Sequence, residues 1–128
     1  MPSNSFPHKL YDAAERGNVD ALVRLLALEE SKQPDVNWRG AKGRTPLLVS
    51  CRRGAHEFTL ILLNAGAKPN VGNDAGVRPI HVAAAGGHAE CVRHLLIHGA
   101  DVGLNDNKNR TPLNYAAERE GGGIEEVL

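Results

Sequence analysis

The chain has 128 residues, with 15 Lys and Arg balanced by 15 Asp and Glu, 41% hydrophobic residues and 4% aromatic ones. Zero formal charge argues against a partner held by bulk electrostatics alone, as a generic nucleic-acid or membrane-surface binder would be. A chain of this length builds a core without staples, and its few aromatics, Phe6, Tyr11, Trp38, Phe58 and Tyr115, leave that core to Leu, Val, Ile and Ala. Cys51 and Cys91 are too few for a disulfide framework and suit a reducing compartment. Met1–Leu10 has no apolar signal segment, and the longest apolar-rich stretch, Phe58–Leu63, is far short of a membrane span. An intracellular protein is expected, cytoplasmic or nuclear.

Along the chain, residues 1–8 read as an N-terminal extension. A repeat then sets the architecture. Pro46, Pro79 and Pro112 recur every 33 residues, and Leu47, Ile80 and Leu113, Gly54 and Gly87, Leu62-Leu63 and Leu95-Leu96, and Gly66-Ala67 and Gly99-Ala100 keep the same step. The small pairs Ala13-Ala14, Ser50-Cys51, Ala83-Ala84 and Ala116-Ala117 share one register, with four extra residues between Leu26 and Asp35. In each unit Thr-Pro, as at Thr45-Pro46 and Thr111-Pro112, places a hydroxyl at a helix N-cap and proline at the first helical position. The small pair lets a second helix approach, and Gly54 and Gly87 suit the left-handed residue that ends the short first helix. A second helix begins near Glu57 or Glu90 and ends at Gly66 or Gly99. The Gly, Asn and Asp-rich stretch that follows reads as an extended turn or hairpin.

Thr45-Pro46-Leu47-Leu48, Arg78-Pro79-Ile80-His81-Val82-Ala83-Ala84, Gly87-His88-Ala89-Glu90 and Gly99-Ala100-Asp101-Val102 resemble the ankyrin repeat, over about residues 9–128. The resemblance implies an all-α solenoid of about four stacked repeats joined by β-hairpin loops, divided at about 9–39, 40–72, 73–105 and 106–128. It implies structural roles for His81 and His88, through backbone hydrogen bonds between a repeat and its hairpin or neighbour. It also makes Asn37 and Asn70 hydroxylation candidates, with a turn-stabilising side chain as the plainer role. Arg78 stands where the family has Thr, so its helix loses a hydroxyl cap worth ~1 kcal/mol, and Arg78→Thr is expected to stabilise the fold. Glu120-Gly121-Gly122-Gly123 and Ile124–Leu128 replace the turn and begin a second helix that barely makes one turn, as a short cap or a truncated repeat would.

Signals for chemistry are weak. Cys91, His94 and His98 share a helical face, a thiolate with two imidazoles suits zinc, and a zinc-binding protein is the alternative of another class. No fourth ligand is evident. Ser50 and Cys51 sit in the small-pair position, where burial explains them better than nucleophilic catalysis. Gly40–Thr45 lacks the spacing of a phosphate loop. No enzyme activity and no cofactor are expected.

The family binds proteins with its hairpins and short first helices. Mapping its variable positions gives Asp12, Glu15 and Arg16; Ala41, Lys42, Arg44, Arg52 and Arg53; Asp74, Ala75, Val77, Ala85 and Gly86; and Asn107, Lys108, Arg110, Glu118 and Arg119. Between Val36 and His56 five basic residues and no acid accompany the chain's one tryptophan. Trp38, Arg39, Lys42, Arg44, Arg52 and Arg53 are therefore the expected partner-binding residues, since Trp and Arg anchor interfaces and Arg forks take carboxylates. The plainer alternative is a solvated basic face with Trp38 leaning on a neighbouring finger. Leu60 and Ile97 are aliphatic where the repeat is usually polar. The expectation is a monomeric, non-enzymatic protein-interaction module, an adaptor, scaffold or inhibitor, for an acidic or phosphorylated segment. Its alternative is the N-terminal array of a longer protein. Nucleic acid is disfavoured, because one tryptophan and balanced charge supply neither stacking platform nor basic footprint.

Overall fold

The computed structural model describes residues 6–28 and 35–118, with the side chain of Leu28 excepted. Seven α-helices occupy them: α1 (Phe6–Arg16), α2 (Val19–Leu28), α3 (Pro46–Arg53), α4 (His56–Asn64), α5 (Pro79–Ala85), α6 (Ala89–Ile97) and α7 (Pro112–Ala117). Helix α1 takes in Phe6, Pro7 and His8 of the stretch expected to be an extension; proline is tolerated there because a first-turn N–H has no intrahelical acceptor. Glu120–Gly123, expected to replace the turn, Ile124–Leu128, expected to begin a final short helix, and residues 29–34, within the stretch between Leu26 and Asp35 expected to hold four extra residues, lie outside the described residues.

The helices form two rows. An inner row, α1, α3, α5 and α7, packs in sequence order, and an outer row, α2, α4 and α6, does likewise, with α1, α3 and α5 each turning back onto an outer partner, α2, α4 and α6, across a tight turn. The rows meet over Leu10, Leu22, Leu47, Phe58, Leu62, Ile80 and Leu95, all but lost to solvent, and burial of each such side chain contributes ~1.5–3 kcal/mol. Ala14, Cys51 and Ala84 are buried completely at the same register, and their small size lets the rows close.

Local chemistry sets the helix ends. The hydroxyls of Thr45 and Thr111 accept hydrogen bonds from the N–H groups of Leu48 and Asn114, both at 3.2 Å. Gly17, Gly54 and Gly87 turn from inner to outer helix with φ of 65°, 79° and 67°, where a side chain would be strained. The His88 ring lies over Gly54, 2.5 Å from where a Cβ would sit, and so ties the turn after α3 to the turn after α5.

Between helix pairs the chain makes fingers. Each is closed at its base by one backbone bond, Gly40 N–H to Arg44 O (2.8 Å), Asn73 to Val77 (2.9 Å) and Asp106 to Arg110 (3.0 Å). No strand is assigned among the described residues, so the expected hairpins are tight loops rather than β-ladders. Neighbouring fingers are joined by Asp74 N–H to Lys42 O and Asn107 N–H to Ala75 O, both 3.0 Å. Asn37 donates to Gly66 O (3.2 Å) and accepts from Lys68 N–H (2.7 Å), and Asn70 repeats the pair with Gly99 O and Asp101 N–H. Both side chains are thus consumed in turn-stabilising bonds.

Arg78 corrects one expectation. Its guanidinium donates to Asn70 O (3.1 Å), Gly76 O (3.1 Å) and Asn105 O (2.6 Å). The lost hydroxyl cap is replaced by a tie across successive fingers, and the Arg78 N–H is taken by His81 Nδ1 at 2.9 Å. Arg78→Thr is therefore destabilising. His81 has the role the resemblance implies: its Nε2 bonds Leu104 O at 3.0 Å, joining α5 to the next finger.

Candidate functional site

The face made by the fingers and the inner helices carries most positions singled out in the sequence. Trp38 is half-buried at the base of the first finger, edge-on to Tyr11 with centroids 6.1 Å apart and tilted against His8 at 4.9 Å. Its packing partner is α1 rather than a neighbouring finger. Gly40 permits this, because a Cβ there would sit 2.9 Å from the indole and 3.1 Å from the Tyr11 ring.

The basic residues divide in two. Arg39 donates to Gly43 O (3.1 Å) and Gly72 O (3.0 Å) and lies 3.5 Å from the Asp74 carboxylate. Arg44 Nε donates to Ala41 O (3.2 Å), and Arg53 donates to Glu15 O (2.9 Å) while covering Gly17. Much of the hydrogen-bonding capacity of these three is spent holding fingers and the α1–α2 turn. Lys42 and Arg52 are exposed, and their side chains make no hydrogen bond or ion pair among the described residues. Lys42 also holds a left-handed backbone, φ 60°, beside Gly43 at φ 73°.

Sequence reasoning missed the groove beside this finger. An open groove of about 760 Å³ runs between α1 and the first finger, lined by His8, Lys9, Tyr11, Glu15, Trp38, Gly40 and Ala41 among others. The Tyr11 hydroxyl is buried and, among the described residues, completes no hydrogen bond of good geometry, with the Glu15 carboxylate beside it. Burial pushes its pKa up from the usual value, opposed by the charges of Arg44 and Arg52 and reinforced by Glu15. The available signal was Gly40 two residues after the sole tryptophan, facing an α1 that carries Tyr11.

The zinc alternative is not supported by the geometry. The Cys91 thiol is buried and points at Thr59 Oγ1 (3.8 Å), which also meets Cys51 Sγ (3.7 Å) and Ser50 Oγ (2.9 Å). The His94 ring lies beside His56 instead, and His98 bonds His94 O and Asn64 Oδ1. Among the described residues no three His, Cys, Asp or Glu side chains converge as a metal site. Burial drives the Cys51 thiol well above its ordinary pKa, the opposite of what a nucleophile needs.

At the other end, Asp106 is a structural hub. Its carboxylate, 1% exposed, accepts from the Lys108 and Arg110 N–H groups, the Arg110 guanidinium (2.9 Å) and the Tyr115 hydroxyl. Burial alone would raise its pKa, but these bonds hold it well below the carboxylate range. Burial and the bond to Asp106 in turn push the Tyr115 phenol up to about 12.

Among the described residues no helix is long and apolar enough to cross a membrane. The family described as ankyrin repeats (3 copies) matches residues 59–128, and a single ankyrin repeat matches 42–74. The chain is 35% identical over 117 residues to the human transient receptor potential cation channel subfamily A member 1, covering 85% of this chain and 10% of the channel. It is 33% identical over 127 residues to the Drosophila melanogaster neurogenic locus Notch protein (87% and 5%), and 32% identical over 109 residues to zygote-specific protein 3 of Chlamydomonas reinhardtii (85% and 28%). The chain thus spans under a third of each of these relatives. With the 33-residue register, the two helix rows and the finger loops, the match over 59–128 shows that the chain belongs to the ankyrin-repeat family.

Proposed function

We propose that the chain is a non-enzymatic protein-interaction module that receives an acidic or phosphorylated protein segment on its finger and inner-helix face. Ankyrin repeats are protein-interaction modules, and one observation points to this part of the face: Lys42, next to the groove-lining Ala41, and Arg52, whose charge acts on Tyr11, stand exposed and without a hydrogen bond or ion pair among the described residues, near the groove floored by Trp38. Unpaired cations beside a half-buried aromatic are what an anionic segment uses for orientation and anchoring. Trp38 and the remaining donors of Arg39, Arg44 and Arg53 complete the surface.

A second form of this proposal places the module within a longer protein. It is favoured by the relatives, of which the chain covers 10%, 5% and 28%.

Crosslinking of captured protein partners tests the proposal, comparing wild type with the pair Lys42→Glu and Arg52→Glu. Among the described residues these side chains hold nothing together, so the melting curve is expected to be unchanged while crosslinks to the first finger and α3 are lost. Crosslinks that persist at wild-type yield refute it.

A further inference from the structure

We infer that the groove between α1 and the first finger takes a bulky apolar side chain from an acidic protein segment whose carboxylates pair with Arg52 and Lys42. The inference rests on the proposed function and adds to it the place that selects the segment.

The groove is a built feature. Gly40 has φ −89°, so glycine is not required there by a left-handed backbone; its missing Cβ is what lets the indole and phenol close into a floor. A volume of about 760 Å³, open to solvent along one side, exceeds what one side chain fills and leaves room for the adjoining backbone of a segment. Trp38, Tyr11 and His8 present ring surface to it, which favours an apolar or aromatic side chain.

Polar groups around the groove set direction. The Tyr11 hydroxyl is, among the described residues, the one buried side-chain polar atom that completes no hydrogen bond of good geometry, and the Glu15 carboxylate beside it is the acceptor within its reach. Glu15 stands on the same wall and disfavours a carboxylate there. Asp12 is already paired with Arg16 at 3.5 Å. Carboxylates are therefore drawn to Arg52 on α3, whose charge is felt at Tyr11, and to Lys42, which follows the groove-lining Ala41 on the finger, with Lys9 on α1 a further cation of the lining.

Random peptides displayed against the 128-residue protein test this. Enriched peptides are resynthesised with a label, titrated by anisotropy, and checked for quenching of Trp38, the sole tryptophan. The expected peptides carry a Leu, Ile, Phe, Met or Trp beside two or more acids. Changing that residue to Ala weakens binding about tenfold, the size of an ordinary interface anchor.

Gly40→Val fills the groove and abolishes the difference between the parent and Ala peptides. Ala41→Phe does the same from an exposed position, should Gly40→Val disturb folding. Arg52→Glu weakens all acidic peptides alike. Acidic peptides that bind through Arg52 but ignore both the apolar residue and the groove-filling variants overturn the groove and leave the surface proposal standing. Peptides without acids, or binding indifferent to Arg52→Glu, overturn both, and failure to enrich any peptide overturns the groove.

Discussion

Replacing Arg78 by threonine restores a hydroxyl at the start of α5 and withdraws a guanidinium from three carbonyls on successive fingers, and the two effects oppose each other. The bonds to Asn70 O, Gly76 O and Asn105 O, at 3.1, 3.1 and 2.6 Å, come from a charged donor that is only half-buried. At ~1 kcal/mol each, below the range for buried charged donors because solvent competes, they contribute ~3 kcal/mol. A threonine cap returns ~1 kcal/mol at most, since His81 Nδ1 already takes the Arg78 N–H. The expected net loss is about 2 kcal/mol, or several degrees of melting temperature in a domain of this size. Urea unfolding followed by circular dichroism measures it for Arg78→Thr, Arg78→Ala and Arg78→Lys. The Thr and Ala variants differ by the cap alone. Lysine, a point charge without the fork, recovers less than half of the loss. An Arg78→Thr protein as stable as wild type, or more so, refutes the tie.

Four further outcomes follow from the same structure. Asp106→Ala leaves the Tyr115 hydroxyl and the Arg110 guanidinium without their acceptor and lowers stability by ~2–3 kcal/mol in urea melts, against ~1 kcal/mol for Tyr115→Phe. Burial, outweighing the bond to Leu104 O, lowers the His81 pKa from its ordinary value of 6.5, so the neutral ring is the folded form. Its contribution is fully present above pH 6.5 and is lost as pH falls through the lowered folded value; His81→Leu removes that part of the pH dependence of the urea midpoint. Asn70→Ala breaks both bonds to the Gly99–Asp101 turn and costs ~2 kcal/mol by denaturant titration. Lys42→Gly relieves a left-handed backbone at φ 60°, raises stability by ~0.5–1 kcal/mol in the same titration, and weakens partner binding.

The helix starts were legible because Thr45-Pro46 and Thr111-Pro112 are local signals, complete within a few residues, and Gly54 and Gly87 mark turns for equally local reasons. Arg78 was misread because sequence shows the hydroxyl that is missing, whereas the carbonyls that replace its function belong to Asn70, Gly76 and Asn105. The basic stretch is only partly legible for the same reason. A run of arginines has no visible acid partner, yet Arg39, Arg44 and Arg53 all donate to main-chain oxygens, which every residue carries and no sequence pattern reveals. The groove needed Tyr11 and Gly40 to be seen together, and only the stacking of α1 on α3 puts them in contact.

Gly40, Asn73 and Asp106 occupy one register, 33 residues apart. Asn73 and Asp106 each accept two main-chain N–H groups of their own finger, which pins those loops from within. Glycine offers no such acceptor, so the first finger is held instead by solvent-exposed guanidinium bonds, Arg39 to Gly43 O and Arg44 to Ala41 O, which a guest can exchange for its own. A segment settling against Trp38 therefore meets a loop that can adjust its shape to the guest, and must pay the entropy of stilling it. Recognition at this end of the stack is tuned by how much motion is surrendered, and substitutions that quieten the first finger without filling the groove should slow dissociation while leaving every contact unchanged.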